Sequence, residues 1–464
     1  MNSFFRLAEN KTTVGREVIA GLTTFSTMAY IVAVSPGLLS QAGMDFQAVA
    51  IATCLAAAIG CLITGLIANY PFAQAPGIGL SAFFVYTVVL QAGYAWQGAL
   101  AIVFLSGLIF IALTATGARA AILDAIPDGV RHAIPAGIGL FIALIGLNNA
   151  GVVDINQGPI IDILLANADK QPPELIGAVN SAPTQVLQFG DFSDPAVILT
   201  LFGVVLMVLL TEWGIAGAIL AGIGVVTAIS FILGVSSWPD ELVATSFDIS
   251  ATFMQMNFNA IWGSEGFSAA SLLDVLFIVI AFTMVDLLDT VGTLYGTADK
   301  GGFLDKDGKL PRVNKALMAD AVATTTGAML GTSTTTTYLE SGSGIAAGGK
   351  TGLTAVVVAI LFLLSMLFTP LVAVIPTSAT SAALVMVGIL MIGSVKQIEF
   401  GELEVTVPAF MVIMLMPFTY SIANGIGVGI ITYVLIKLAK GEARKVHPVA
   451  GLIAVLFVAR YSVL

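Results

Sequence analysis

The apolar residues of this 464-residue chain gather into long unbroken runs separated by short polar joints. The strict alternation that marks a half-buried strand is missing from them, and most are too long for a core strand. Runs of about 17 or more apolar residues are long enough to cross a bilayer as helices. The pattern predicts an all-α polytopic membrane protein of fourteen spans, at 18–39, 47–67, 76–91, 97–117, 133–149, 195–211, 214–235, 271–297, 314–330, 338–347, 352–375, 380–393, 405–422 and 424–439. A fifteenth run, 448–462, is short and stays open between a further crossing and an interfacial helix. Residues 1–17 are polar and mixed in charge, and the run behind them is of spanning length, so no cleavable leader is read there.

Two spans are interrupted. The third is entered through Asn69 to Ala82, which holds Pro71, Pro76, Gly77 and Gly79 and argues against a continuous helix. The tenth is entered through Thr334-Thr335-Thr336-Thr337, a β-branched polar run that suits extended backbone better than a lipid-facing helix. Fourteen spans divide as seven plus seven, and an odd number per half inserts the second half upside down. Pro195-Ala196 and Pro408-Ala409 each open an apolar run that ends near a Gly-rich turn, a weak echo of such a repeat. Short interrupted segments in matching places of two halves point to a transporter binding site. Irregular backbone at membrane depth survives only inside protein or beside a water-filled cavity.

Charge sharpens the picture. Sixteen of the eighteen Lys and Arg residues fall on one side of the predicted array. Arg119 and Arg131 are expected in the loop after span four and Lys300 to Lys315 in the loop after span eight; Lys170 and Arg460 are the exceptions. That bias predicts that both ends of the fourteen-span array are cytoplasmic. Only 10% of residues are charged against about 25% in soluble domains, mean hydropathy is +0.99, and the net charge is −10. These values exclude a soluble domain, a disordered chain and a nucleic-acid binder. Cys54 and Cys61 share one apolar span and are read as packing residues, and two histidines leave little for metal chemistry, so neither a metal site nor a cofactor is expected. The chain shows neither a phosphate-binding loop nor a nucleophile motif, which argues against a pump driven by ATP and against an enzyme.

The acids inside the spans are the informative charges, because each is costly in lipid unless compensated. Asp286 and Asp289 sit mid-span in span eight, at i and i+3 on one helical face. Glu340 opens the short helix of span ten, whose N-terminal dipole would point into the same cavity. Asp289 and Glu340 are read as the substrate and proton site. Asp286 either shares in it or holds the N-terminus of that short helix, and Asp320 is read as structural. Carboxylates without basic partners suit proton-coupled transport, with sodium as the alternative ion because carboxylate and hydroxyl oxygens also ligate it. Tyr338, beside Glu340, is the best stacking candidate for a planar ligand, ahead of Phe83, Phe84, Phe418 and Tyr420.

With these motifs in view, the sequence resembles the AzgA-like purine permeases of the second nucleobase–cation symporter superfamily. The resemblance runs from Gly15-Arg16-Glu17-Val18 to at least Gly425. It is most specific at 75–84 (APGIGLSAFF), 285–293 (VDLLDTVGT) and 334–354 (TTTTYLESGSGIAAGGKTGLT). It implies two inverted seven-span repeats, uracil-permease-like, with core spans one to four and gate span five within 1–149. Gate spans six and seven would lie within 150–270, core spans eight to eleven within 271–376, and gate spans twelve to fourteen with the last apolar segment within 377–464. It implies that Asp289 and Glu340 hold a purine base from opposite sides and that Tyr338, Leu339, Gly79, Leu80 and Ser81 complete the pocket, with Phe83 and Thr27 beside them. Purine import with a proton, an elevator-like movement of core against gate, residence in the cytoplasmic membrane and a homodimer follow from the same resemblance, and two hydrogen-bond-accepting carboxylates favour the N1–H of hypoxanthine or guanine over adenine. Ser81 stands where many members carry Asn. The alternatives are a sulfate or bicarbonate carrier of the same general fold, and a cation channel.

Overall fold

A computed structural model describes residues 3–118, 122, 125–155, 187–239, 241–262 and 266–463. Arg119 and Lys170 lie outside the described residues. The Thr13 hydroxyl caps α1 (Val14–Met28), which bends at Ala29-Tyr30 into α2 (Ile31–Leu39). Asp45 caps α3 (Phe46–Ile63) by accepting from Ala48 N at 2.8 Å. The chain then extends as β1 (Gln74–Pro76) and turns into α4 (Ile78–Ala82), which continues in wider π turns to Gln91. Helices α5 (Trp96–Thr116) and α6 (Asp128–Asn149) follow. A short antiparallel pair, β2 (Val153–Ile155) with β3 (Leu187–Phe189), precedes α7 (Pro195–Glu212) and α8 (Ala218–Ile232).

Long α9 (Ala269–Gly301) and α10 (Val313–Leu330) lead to β4 (Thr335–Thr337) and the short α11 (Ser341–Ala346). Then come α12 (Gly352–Ser365), α13 (Thr369–Ala373), α14 (Thr377–Met391), α15 (Leu403–Phe418), α16 (Ile422–Ala439) and α17 (Pro448–Val463). Among the described residues, nine helical segments are long and apolar enough to cross a membrane, and four shorter apolar ones accompany them.

Several expected boundaries move. Arg131 is not in a loop: it lies in the first turn of α6, where Asp128 favours an earlier helix start and pairs with it at 3.1 Å. Lys300 likewise belongs to the last turn of α9, where a cation suits the helix dipole. The span expected at 405–422 runs from Leu403 to Phe418 as α15, with Pro408 inside it. The run 352–375 is broken between α12 and α13 by a 3₁₀ turn at Met366–Phe368, with Pro370 at the start of α13.

Packing sorts the helices into two sets. In one, α3, α5, α9, α10 and α12 surround β1, β4 and α11; in the other, α6 packs on α14 and α15, which bring in α7, α8 and α16. Helices without a polar seam approach closely only where small residues meet. Gly139 and Gly388 make such a crossing of α6 and α14: a Cβ on Gly388 would lie 2.4 Å from the Gly139 carbonyl oxygen. Gly65 and Gly352 do the same where the π turn after α3 meets the start of α12.

Candidate functional site

The two interrupted segments meet. β1 pairs antiparallel with β4 in the register Gln74–Thr337, Ala75–Thr336 and Pro76–Thr335, and all six residues are buried. Pairing satisfies backbone groups that neither lipid nor apolar side chains could. Gly77 N extends the ladder to Thr334 O at 2.9 Å, and Tyr338 N bonds Ala73 O at 3.0 Å. Each strand hands over to a short helix, so the first turns of α4 and α11 leave the sheet at its two opposite ends.

Glu340 stands at the N-cap of α11, one residue after the exposed side chain of Leu339. Its Oε1 accepts from the Tyr30 hydroxyl at 2.7 Å, and Tyr30 itself is buried at the bend between α1 and α2. Asp289, half-buried on α9, lies close enough to Glu340 for the two charges to repel, and the Thr336 hydroxyl of β4 bonds its carboxylate. Tyr338 is near enough to both acids to feel their charge and donates from its hydroxyl to Pro76 O at 2.5 Å, across the strand pair. Beyond Asp289, the exposed positions Gly292 and Gly296 continue the same face of α9, and at both a Cβ would meet open space. A side-chain-free strip therefore leads from Asp289 toward the C-terminal end of α9.

Two further acids brace this frame from beneath. Thr324 of α10 donates to Asp286 of α9 at 3.2 Å, while Thr290 of α9 donates to Asp320 of α10 at 2.9 Å. On each helix the acid and the hydroxyl are four residues apart, so the two pairs cross between the helices on facing surfaces. Asp320 also accepts from Gln74 Nε2 and the Thr337 hydroxyl, both at 3.4 Å, and thereby touches both strands. Asp286 and Asp320 are 2% and 0% exposed, so both sit behind the strands rather than on an open surface.

The other residues singled out from the sequence fall in distinct places. Ser81 is fully buried, with its hydroxyl 2.5 Å from that of Ser333. Leu80 is buried beside it, and Gly79 is so close to α6 that a Cβ would lie 2.6 Å from Ile138. The Thr27 hydroxyl donates to Thr24 O at 2.8 Å within α1. Phe83 packs edge-to-face on Phe282 with centroids 4.7 Å apart, and Phe84 is fully buried. Tyr420 joins Tyr86 and Phe141 in an aromatic cluster, and Phe418 is exposed. A cavity of about 280 Å³ between α2 and α14, touched by Gly37, Gln41, Asn149 and Thr380, includes none of the candidate residues.

Tyr30, Gln74, Ser333 and Thr336 were not legible as site residues. One signal existed: Tyr30 is the one tyrosine in the first span, and a buried phenol needs a hydrogen-bond partner. Cys61 does pack, and its sulfur also holds the backbone of Gln74, accepting from its N–H at 3.2 Å.

Comparison with known proteins places the chain among carriers. Residues 15–168 and 174–428 match Xan_ur_permease, a permease family. A putative permease of Methanocaldococcus jannaschii is 44% identical over 99% of this chain and 98% of its own length. The guanine/hypoxanthine permease PbuO of Bacillus subtilis is 39% identical over 98% of each chain. The adenine permease AdeQ of Escherichia coli is 37% identical over 98% of this chain and 95% of its own. In fold, the chain is similar to the transmembrane domain of a cyanobacterium bicarbonate transporter, BicA, with a TM-score of 0.63 at 17% identity over 88% of this chain and 96% of that one.

Proposed function

The chain belongs to the Xan_ur_permease family, and from that premise we propose that this integral membrane transporter imports purine nucleobases, hypoxanthine and guanine foremost, by proton symport. The observation that carries the reading is the pair of carboxylates, Asp289 and Glu340, near enough to repel each other at the meeting point of two broken segments, with Thr336 beside the first and Tyr30 bonded to the second. An ionised carboxylate only accepts hydrogen bonds. Hypoxanthine and guanine offer an N1–H donor beside a carbonyl, whereas adenine offers an N1 acceptor, so two carboxylates suit an oxopurine unless one is protonated. With Oε1 of Glu340 occupied by Tyr30, Oε2 is left for the base. Leu339, and the backbone around Gly79, Leu80 and Ser81, would close the pocket.

Coupling follows from electrostatics. Two like charges in a low-dielectric site cost more than one, so a proton taken up with the base lowers the energy of the loaded carrier. The alternating path is an elevator in which the set around the strand pair is the moving core and the set around α6, α14 and α15 is the gate. The open strip over Gly292 and Gly296 would be the cytoplasmic way in and out. The order of elements supports fourteen crossings in two inverted halves, since each half has one strand and short helix where its third crossing belongs, and the homodimer belongs to the same reading. An anion carrier usually favours cationic groups at its site, and none of the residues described there is basic.

Uptake of radiolabelled hypoxanthine in a transport-deficient host tests the proposal. Saturable uptake abolished by a protonophore, with competition by guanine stronger than by adenine, is expected. Uptake that ignores the protonophore, or full uptake and full coupling in Glu340→Gln, would sink the assignment.

A further inference from the structure

The last apolar run, left open by its length, forms α17, and its contacts are specific. It returns alongside α16, and at its far end the Tyr461 hydroxyl donates to Asn424 in the first turn of α16 at 3.1 Å. Phe457 is buried over Gly427 of α16; a Cβ there would lie 1.8 Å from the ring, so only glycine admits it. The other side of the same ring meets Phe277 of α9 edge-to-face, with centroids 4.6 Å apart. Arg460 sits over Phe277 at 3.8 Å and donates from Nε to Asp274 Oδ1 at 2.9 Å. Both charged side chains are partly shielded, 17% and 32% exposed, so this ion pair is less screened than an open surface pair. Asp274 lies on the same helix as Asp289, fifteen residues or about 22 Å away.

We propose that α17 is a strap that clasps α9 to α16 through Arg460, Asp274, Phe277 and Phe457, and that it releases α9 when the core moves. The proposal rests on the core-and-gate reading above, in which α9 travels and α16 stays. A helix packed on both must slide against one of them in every cycle. The contact to α16 is interlocked by Gly427 and Phe457 and joined by a short loop, whereas α9 meets α17 through one ion pair, one edge-to-face ring pair and a looser apolar seam of Leu273, Leu276 and Ile280 against Ile453 and Leu456. The seam with α9 is therefore the one that opens. While closed, it holds the conformation described here.

The test uses the full chain with Cys54→Ala and Cys61→Ala. Spin labels at Lys300→Cys in the last turn of α9 and Phe410→Cys on α15, both on exposed positions, report core-to-gate distance without any substrate. Arg460→Gln is expected to add a second distance population or to shift the ratio of two populations at least threefold. The charge-swapped pair, Asp274→Arg with Arg460→Asp, should restore the original distribution and guards against misfolding. Superimposable distributions in Arg460→Gln and the parent overturn the strap. In a second arm, Asp274→Cys with Arg460→Cys is bridged by a bifunctional thiol reagent. Blocked hypoxanthine uptake, recovered when a reducible bridge is cut, supports release; unimpaired uptake by the bridged protein overturns it. Absence of purine uptake before bridging would count against the transport reading alone, since the distance measurement stands without it.

Discussion

Tyr30 and Glu340 are 310 positions apart and share one hydrogen bond. A buried carboxylate depends strongly on such a donor, because hydrogen bonds to charged groups contribute about 1.5–3 kcal/mol. Tyr30→Phe keeps the ring and removes the donor. Hypoxanthine KM is expected to rise about tenfold or more, with a smaller loss in the saturated rate, as measured by initial uptake. An unchanged KM would mean that the phenol merely fills space. The acids of this site were legible because a charge in an apolar run is costly and therefore conspicuous. Their partners were not. Thr290, Thr324, Thr336 and Tyr30 are weakly polar, common in membrane helices, and paired across distances in the chain that no local pattern encodes. Ser81 shows the same limit: the family resemblance placed it at the pocket, and nothing local signalled that its hydroxyl is bonded to Ser333, 252 positions away.

Elements were more legible than residues, since span length and interruption are written in local composition. The Thr run is extended, and the Pro/Gly segment breaks before α4, as side-chain branching and missing N–H groups dictate. What composition could not reveal is that the two breaks pair with each other, or what fastens the ends. Glu17 is one such fastening. It is fully buried on α1 and accepts from Lys350 N at 3.0 Å, Thr351 N at 3.2 Å and the Thr354 hydroxyl at 2.6 Å, capping the start of α12. Glu17→Ala should lower stability by about 3 kcal/mol, since it strands buried donors; thermal unfolding in detergent measures it, and a change below about 1 kcal/mol would contradict the role. A second fastening joins α15, α16 and the loop after α16. Lys437 bonds Glu404 at 3.1 Å and Glu442 at 3.0 Å, and Lys445 bonds Glu442 at 2.7 Å. The lysines beside Glu442, Lys445 first, hold its carboxyl below the usual range. A carboxyl depressed on folding contributes stability that is complete above its unfolded pKa, about 4.3, and lost as pH falls through the folded value. Unfolding temperature should therefore drop less between pH 6 and pH 3 in Glu442→Gln than in the parent; equal drops would remove Glu442 from the acid response.

At the scale of the whole molecule, the basic residues predict a sidedness that labelling of the last helix can test. Arg460 was one of two exceptions to the one-sided distribution of Lys and Arg. Its contacts give a physical reason: it reaches Asp274 near the start of α9, and Tyr461 reaches Asn424 near the start of α16. Both starts belong to the outer side in the topology that the other cations support. A cation there is compensated by its carboxylate and by the face of Phe277, so in that topology the positive-inside bias would be locally overridden. At 16 residues α17 is as short as α15, which it resembles in length and apolar character. It would run about 24 Å, close to the thinner bilayers, and it lies antiparallel to α16 from one end to the other. Residue 461 should consequently be outside and the 302–312 segment inside. A membrane-impermeant maleimide applied to intact cells should label Ser462→Cys and spare Lys306→Cys, both in a background without Cys54 and Cys61. Labelling of Lys306→Cys instead would invert the whole array. Labelling of neither site, with both reacting only after the cells are opened, would put α17 back on the cytoplasmic face and leave the array with both ends inside.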